Sequence, residues 1–466
     1  MKRYFYKSGL LAFLAVAALT SCDPEIDAPA VSAGEANFSK YVALGNSLTS
    51  GFADGALYRG GQEVSYPSIL AQQFKLAGGG DFKQPLITVG PAGDVGIGSP
   101  STGPTGLTVP SKLVLGTSTD CKNVTSLSPV RAAQSGDLSI FLRGTSFNWI
   151  GDQGPFNNLG VPGALSYHLL APGYGSQDLS KILAGQANPF FSRFSSSNTT
   201  SIVQDAMAQQ PTFFTLWIGN NDVLGVALNG GEGTPTPLNG APGVGFDGTM
   251  TALVSTLTAG GAKGAIANIP DVTKIPYFTT VPYNGLILDT VQAAALSQAY
   301  APLGIKFRVG ANPFIIKDNV PGGRRKMVPG ELVLLTVNQD SLKCKGLGSQ
   351  IGISKKDVLT AAEITKISDA VKGYNAIIKG LADAKGLAYV DANTYLANLQ
   401  GGITMKQVTY NAALVTGNVF SLDGIHFSPK GNAIAANLFI EAINKKFNAS
   451  IPTVNVNAYN GVLFPN

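Results

Sequence analysis

The chain has 466 residues and only two histidines. One of them closes the turn Asp423-Gly424-Ile425-His426, three residues after an aspartate. Far upstream, a serine sits in the small-residue stretch Gly45-Asn46-Ser47-Leu48-Thr49-Ser50-Gly51. A serine hydroxyl becomes a nucleophile when an imidazole takes its proton and a carboxylate holds that imidazole in the right tautomer. Ser47, His426 and Asp423 have the residue types for those three roles. Acyl transfer also needs donors for the oxyanion. The backbone N–H groups of Ser47 and Gly163 and the side-chain amide of Asn221 are candidates. They come from two further turn segments, Asn158 to Gly163 and Gly219-Asn220-Asn221-Asp222.

These turns must be placed by regular elements. Tyr41-Val42-Ala43-Leu44 reads as a short apolar strand, so Ser47 falls just past a strand's C-terminal end, where α/β sheets bind ligands. A helical stretch around Ile202 to Gln209 precedes Pro211. Thr212 to Ile218 then forms a continuous apolar run, the pattern of a strand buried on both faces. A helix over about 249–258 leads to a strand over 265–269. A helix near 355–384 leads to a strand over 387–390. Ser428-Pro429 starts the last helix, with Ser as N-cap and Pro at the first position. Its apolar face is Ile434, Leu438, Phe439 and Ile443. Alternating strands and helices imply a parallel sheet covered on both faces. The Gly/Pro/Ser/Thr-rich segments 78–157 and 271–354 read as two long, loop-rich insertions that frame the cleft.

The four turn segments, in this order, resemble the signature blocks of the SGNH (GDSL-type) hydrolases. Gly45-Asn46-Ser47-Leu48 stands where that family usually has Gly-Asp-Ser-Leu. The Asn158 segment supplies the glycine, with Gly163 favoured by spacing and Gly160 as its rival. Gly219-Asn220-Asn221-Asp222 matches Gly-x-Asn-Asp, and Asp423 to His426 matches Asp-x-x-His. The resemblance implies a flavodoxin-like three-layer α/β/α sandwich with a central parallel sheet. It also implies a serine ester hydrolase with the roles given above. Asn46 departs from the usual aspartate, and a neutral amide there can keep the local hydrogen bonds. The nucleophile elbow of α/β-hydrolases, Gly-x-Ser-x-Gly, is not met, because Thr49 stands at the last glycine.

Residues 1–21 have a positive start (Lys2, Arg3, Lys7) and an apolar run from Leu10 to Leu19, too short to span a bilayer. The run ends in Leu19-Thr20-Ser21-Cys22, which resembles a bacterial lipobox with lipidation at Cys22. The expectation is an exported lipoprotein, held at the outer membrane on its periplasmic or outer side. Without Lys2, Arg3 and Lys7 the formal charge falls from +5 to +2. No basic footprint for nucleic acid remains, and Gly323-Arg324-Arg325-Lys326 reads as a solvated loop. Cys121 and Cys344 are left, and the sequence leaves their pairing open. No clustered Cys/His pattern suggests a metal, and the chemistry requires no cofactor.

The organisation read from the chain is a signal peptide (1–21), a flexible tether (22–38), a hydrolase domain (39–449) and a tail (450–466). The expected substrates are lipid or small acyl esters. Acetyl esters on carbohydrate are the alternative. A non-catalytic glycan- or protein-binding lipoprotein on the same fold is the rival outside the enzymes. His168 and Trp217 read as structural. Phe190, Phe191 and Phe194 read as packing residues, with an acyl-binding lip as their other reading.

Overall fold

The computed structural model describes residues 30–103, 106–143 and 146–465. Cys22 and the signal segment lie outside the described residues. Five parallel strands form the central sheet: β1 (Tyr41–Gly45), β2 (Asn158–Gly160), β3 (Phe213–Trp217), β4 (Lys263–Ala267) and β5 (Ala388–Val390). Their order is β2-β1-β3-β4-β5, which is the flavodoxin-like order of doubly wound sheets. β1 and β3 are buried along their whole length, as both faces of a parallel sheet demand.

Eight helices matter for the site: α1 (Ser47–Ser50), α2 (Tyr66–Leu76), α3 (Ile202–Met207), α4 (Asn221–Leu228), α5 (Phe246–Thr258), α6 (Ala361–Ala384), α7 (Ala392–Gln400) and α8 (Pro429–Phe447). α8 packs on α2 and on β4 and β5, while α6 packs on α4 and α5. Helices therefore cover the sheet as a three-layer α/β/α sandwich. Their starts follow local chemistry. Thr360 and Glu363 form a capping box for α6, and Ser201 and Gln204 one for α3. At α8, Ser428 Oγ accepts from Gly431 N at 3.1 Å and Pro429 occupies the first turn. Ile434, Phe439 and Ile443 of α8 are buried in the core. Leu438 is only half-buried and faces a pocket described below.

Several expectations need correction. The segment 22–38 is not a free tether at its C-terminal end. Phe38 is 2% exposed, and it stacks on Phe74 with ring centroids 4.1 Å apart. Residues 450–465 are more than a tail, since Ile451 and Val456 join the main core. Arg324–Lys326 is a strand paired with Ile315–Lys317, not a solvated loop. Arg325 grips the buried Glu331 with both terminal nitrogens, at 2.8 and 2.6 Å.

The chain between α2 and β2 contains hairpins, the longest joining Leu113–Thr119 to Thr125–Arg131. Its Ile97 and Phe141 pack in one cluster with Phe52 and Phe190 from outside the segment. The chain between β4 and α6 builds a second cluster around Ile315, Ile316, Val333 and Ile353. Cys121 and Cys344 are disulfide-bonded, with Cα atoms 6.4 Å apart, and so join the two regions. Asp120 and Lys343 pair beside the bridge at 3.1 Å. Among the described residues, no helix is long and apolar enough to cross a membrane.

Candidate active site

The site lies at the C-terminal edge of the sheet, where the strand order reverses between β1 and β3. Gly45 ends β1 and pairs with Trp217 of β3 on one side and Gly160 of β2 on the other. A side chain at Gly45 would meet Thr49 Oγ1 at 2.1 Å and the Trp217 carbonyl at 2.5 Å. Only glycine lets the chain turn here directly into α1. Asn46 caps that single turn, its Oδ1 accepting from Leu48 N at 3.0 Å. Its Nδ2 donates to Asn220 Oδ1 at 3.3 Å, tying the serine turn to the loop after β3. The amide at this position thus both accepts and donates, which a carboxylate could not do. Ser47 is the first residue of α1 and is 9% exposed.

The loop before α8 carries Asp423 and His426. Asp423 Oδ2 lies 2.8 Å from His426 Nδ1. The same oxygen accepts from Gly55 N at 2.7 Å. Oδ1 accepts from Ile425 N, His426 N and Ser421 Oγ at 2.8, 2.9 and 3.0 Å. Five donors therefore converge on one carboxylate. Burial alone would push its pKa up. His426 and the backbone N–H groups outweigh burial and hold it well below the usual carboxylate range. With Asp423 ionised, Nδ1 of His426 carries the proton and Nε2 is left to accept one.

Two regions hold this loop from opposite sides. Asp54 Oδ1 accepts from Leu422 N at 2.9 Å, and Asp54 N donates to Ser421 Oγ at 2.9 Å. Burial, opposed in part by the Leu422 bond, raises the Asp54 carboxyl, and the nearby Asp423 charge adds to the rise. On the other side, Tyr277 N donates to Gly424 O at 2.9 Å. The Phe52 ring packs on the imidazole of His426, with centroids 4.8 Å apart.

Ser47 and His426 line one pocket, and Asn221 lines it with them. Among the described residues, no hydrogen bond joins Ser47 Oγ to the His426 ring. Such contacts often tighten only when substrate binds. Asn221 Nδ2 donates to Ala164 O at 2.9 Å. An amide nitrogen has two hydrogens, so one remains.

That bond fixes the turn Val161-Pro162-Gly163-Ala164, closed by Ala164 N to Val161 O at 3.1 Å. Proline followed by glycine at φ +79° is the signature of a type II turn. Asp222 holds Ser166, two residues on, its two oxygens taking Ser166 N and Ser166 Oγ at 2.9 and 2.7 Å. The Gly160 N–H is occupied by Asn158 Oδ1 at 3.0 Å. The Gly163 N–H has no hydrogen-bond partner among the described residues. Neither glycine lines the pocket itself.

The remaining candidates fall into place as packing. His168 Nδ1 accepts from Leu165 N at 3.1 Å and its ring stacks on Tyr174. Burial lowers its pKa to about 4, so it is neutral. Phe190, Phe191 and Phe194 are buried and form no acyl lip. Trp217 is buried as expected, and it also walls the pocket. Sequence reading missed Asp54, Gly55, Ser421 and the Asn46–Asn220 link. The dipeptide Asp54-Gly55, with positive φ at both residues, is a recognisable turn signal. Its target lies 368 residues away.

No family model and no curated protein sequence matches the chain. Solved structures similar to it include a GDSL-like lipase from Parabacteroides merdae. That likeness has 10% identity, a TM-score of 0.33, and covers 89% of this chain and 99% of the other. Another is an extracellular lipase from Streptomyces rimosus. It has 11% identity, a TM-score of 0.31, and covers 87% of this chain and 98% of the other.

Proposed function

We propose that this chain is a serine ester hydrolase. The observation that carries the reading is the Asp423–His426 pair, whose carboxylate accepts from five donors and whose imidazole lines the same pocket as Ser47. In this reading Ser47 Oγ attacks the ester carbonyl carbon and gives its proton to His426 Nε2. Asp423 stabilises the imidazolium without taking the proton. The negative oxygen of the tetrahedral intermediate is met by the N–H groups of Ser47 and Gly163 and by Asn221 Nδ2. Collapse of the intermediate breaks the ester C–O bond, and His426 returns the proton to the departing alcohol. Water, deprotonated by His426, then releases the acid and restores Ser47.

The pocket wall favours acyl esters with an apolar chain over acetylated carbohydrate. Most residues around Ser47 and His426 are aliphatic or aromatic, among them Leu48, Trp217, Ile275 and Phe420. Lipidation at Cys22, with export to the outer membrane, completes the proposal. Labelling of cells with radioactive palmitate tests it, and label that persists in Cys22→Ala contradicts it. For the hydrolase itself, the test is turnover of nitrophenyl esters by wild type, Ser47→Ala and His426→Ala. The reading requires both variants to be inactive while retaining the wild-type circular dichroism. Turnover at the wild-type rate in either variant overturns it.

A further inference from the structure

Asp423 and Gly424 are held from two sides, and both holds can be followed outward to one covalent bond. On the first side, Gly55 N donates to Asp423 Oδ2 at 2.7 Å, and Asp54 O accepts from Leu113 N at 2.8 Å. Leu113 opens the long hairpin, whose tip carries Cys121. On the second side, Tyr277 N donates to Gly424 O, and Tyr277 O accepts from Leu335 N, both at 2.9 Å. A Cβ at Gly424 would lie 2.9 Å from Tyr277 N and 3.3 Å from Leu335 Cδ2. With φ at +71° as well, the position favours glycine, and the backbone packs directly on these residues. From Leu335 the chain passes Thr336, whose Oγ1 lies 2.9 Å from the Tyr277 hydroxyl, and enters the helix Gln339–Cys344.

The Cys121–Cys344 bridge joins these two arms into a closed ring. The hairpin has little core of its own to fix its tip. Of the seven residues in each of its strands, only Leu115 is buried. A two-stranded hairpin without a core is marginal in water. Beside the bridge the Asp120–Lys343 pair crosses the same gap, but the Lys343 side chain is 47% exposed. Exposed ion pairs hold little. Cys121 and Cys344 are both exposed, so a small thiol reagent can reach them.

Resting on the hydrolase reading for its chemistry, we infer that Cys121 and Cys344 are positioning residues for the Asp423–His426 loop. Their bond keeps both arms taut, so that Gly55 and Tyr277 meet Asp423 and Gly424 in fixed register. Reduction by a dithiol breaks the S–S bond, leaves a thiol on each cysteine and closes the dithiol into a cyclic disulfide. The tip is then free, and the hairpin moves about its foot at Leu113. The Asp54-Gly55 turn loses its fixed place, and Asp423 orients the His426 ring less well. A misplacement of about 1 Å can cost about 10²-fold in rate. The chemical step slows while the pocket keeps its shape, because most of its walls come from β3, α7 and α8.

A bond between residues 223 apart also stabilises the fold as a whole, so the test separates position from stability. The full chain is compared in three forms: native, reduced with dithiothreitol and capped with iodoacetamide, and reduced then re-bridged with dibromobimane, a short reagent that joins two thiols. Nitrophenyl ester kinetics and residue-level hydrogen exchange are read at a temperature where circular dichroism shows every form folded. In the capped form kcat should fall about tenfold and KM stay within about twofold. The Gly55 and Tyr277 amides should exchange about tenfold faster, and the Ala43 amide in β1 at the native rate. The re-bridged form should regain native values. A further variant inserts two glycines after Thr119 and two after Val124, which slackens the arm but keeps the bridge. The same tenfold fall in kcat is expected of it.

Native kcat and native exchange at Gly55 and Tyr277 in the capped form overturn the inference. So does exchange that rises as much at Ala43 as at Gly55, which would make the bridge a stabiliser of the fold only. A re-bridged form as slow as the capped one, or full activity in the glycine-extended hairpin, overturns it too. Should the capped form unfold, the glycine-extended protein decides, because its bridge is intact. The two proposals fail separately. If the native protein hydrolyses nothing, the hydrolase is removed and the exchange rates still decide the role of the bridge. Ester turnover indifferent to reduction removes the role of the bridge and leaves the hydrolase.

Discussion

Two buried polar groups have contrasting surroundings. Asp423 receives five hydrogen bonds, and the Tyr395 hydroxyl receives none. A buried charge is tolerable only when fully solvated by the protein. The structure supplies that solvation to Asp423 from elements as far apart as Gly55 and Ser421. An unpaired hydroxyl is tolerable only at lower cost, or when something else completes it. The satisfied group is thus fixed in charge and orientation, as an acid supporting a base must be.

The comparison can be broken at several places. Ser47→Ala should lower ester kcat by about 10⁶-fold, since members of such a triad act as a unit. Asp423→Asn keeps the shape but reverses the donor logic at Oδ2, and should lower kcat by about 10⁴-fold. Steady-state kinetics on a nitrophenyl ester measures both. Asn221→Ala removes one proposed oxyanion donor and the anchor of the Gly163 turn. A loss of about 10²–10³-fold in kcat with little change in KM is expected. A KM effect alone would place Asn221 outside the transition state.

Smaller effects sharpen the contrast between the two groups. Ser421→Ala removes one of the five donors to Asp423 and should cost about 1 kcal/mol of stability. Tyr395→Phe removes a hydroxyl that has no partner and should raise stability by about 1 kcal/mol. Urea denaturation of both variants, read for opposite signs, is the check.

The pH dependence follows from the lowered pKa of Asp423. A carboxyl whose folded value lies below its unfolded value adds stability above about pH 4. That contribution is lost as pH falls through the folded value. The stability gap between wild type and Asp423→Asn should therefore be constant from pH 7 to about 5 and shrink below about 4. Asp54, raised by burial, titrates in the opposite sense. For that reason the difference between the two proteins is the informative quantity, not either profile alone.

Much of the site was legible in the sequence because its chemistry is local. Asp423 reaches His426 within one turn, and Gly45 and Ser47 lie at the end of a buried apolar strand. The strand runs and the Ser428-Pro429 helix start were equally local, and the parallel sheet followed from their alternation. What escaped depends on contacts between distant segments. The Asp54-Gly55 turn is visible as a turn, but nothing in those residues says that they hold Asp423. Phe38 looked like the end of a tether until Phe74 and Phe213 surrounded it. Arg325 looked solvated because Glu331 and Asp318 flank it at loop spacing, while the strand pairing that brings them together has no local pattern.

The most direct test of the central claim is intact-mass and peptide mass spectrometry after reaction with a fluorophosphonate. The account predicts one phosphonyl adduct per chain, located on Ser47 and lost in His426→Ala. A wild-type protein that stays unmodified, or one labelled at a residue other than Ser47, would contradict it.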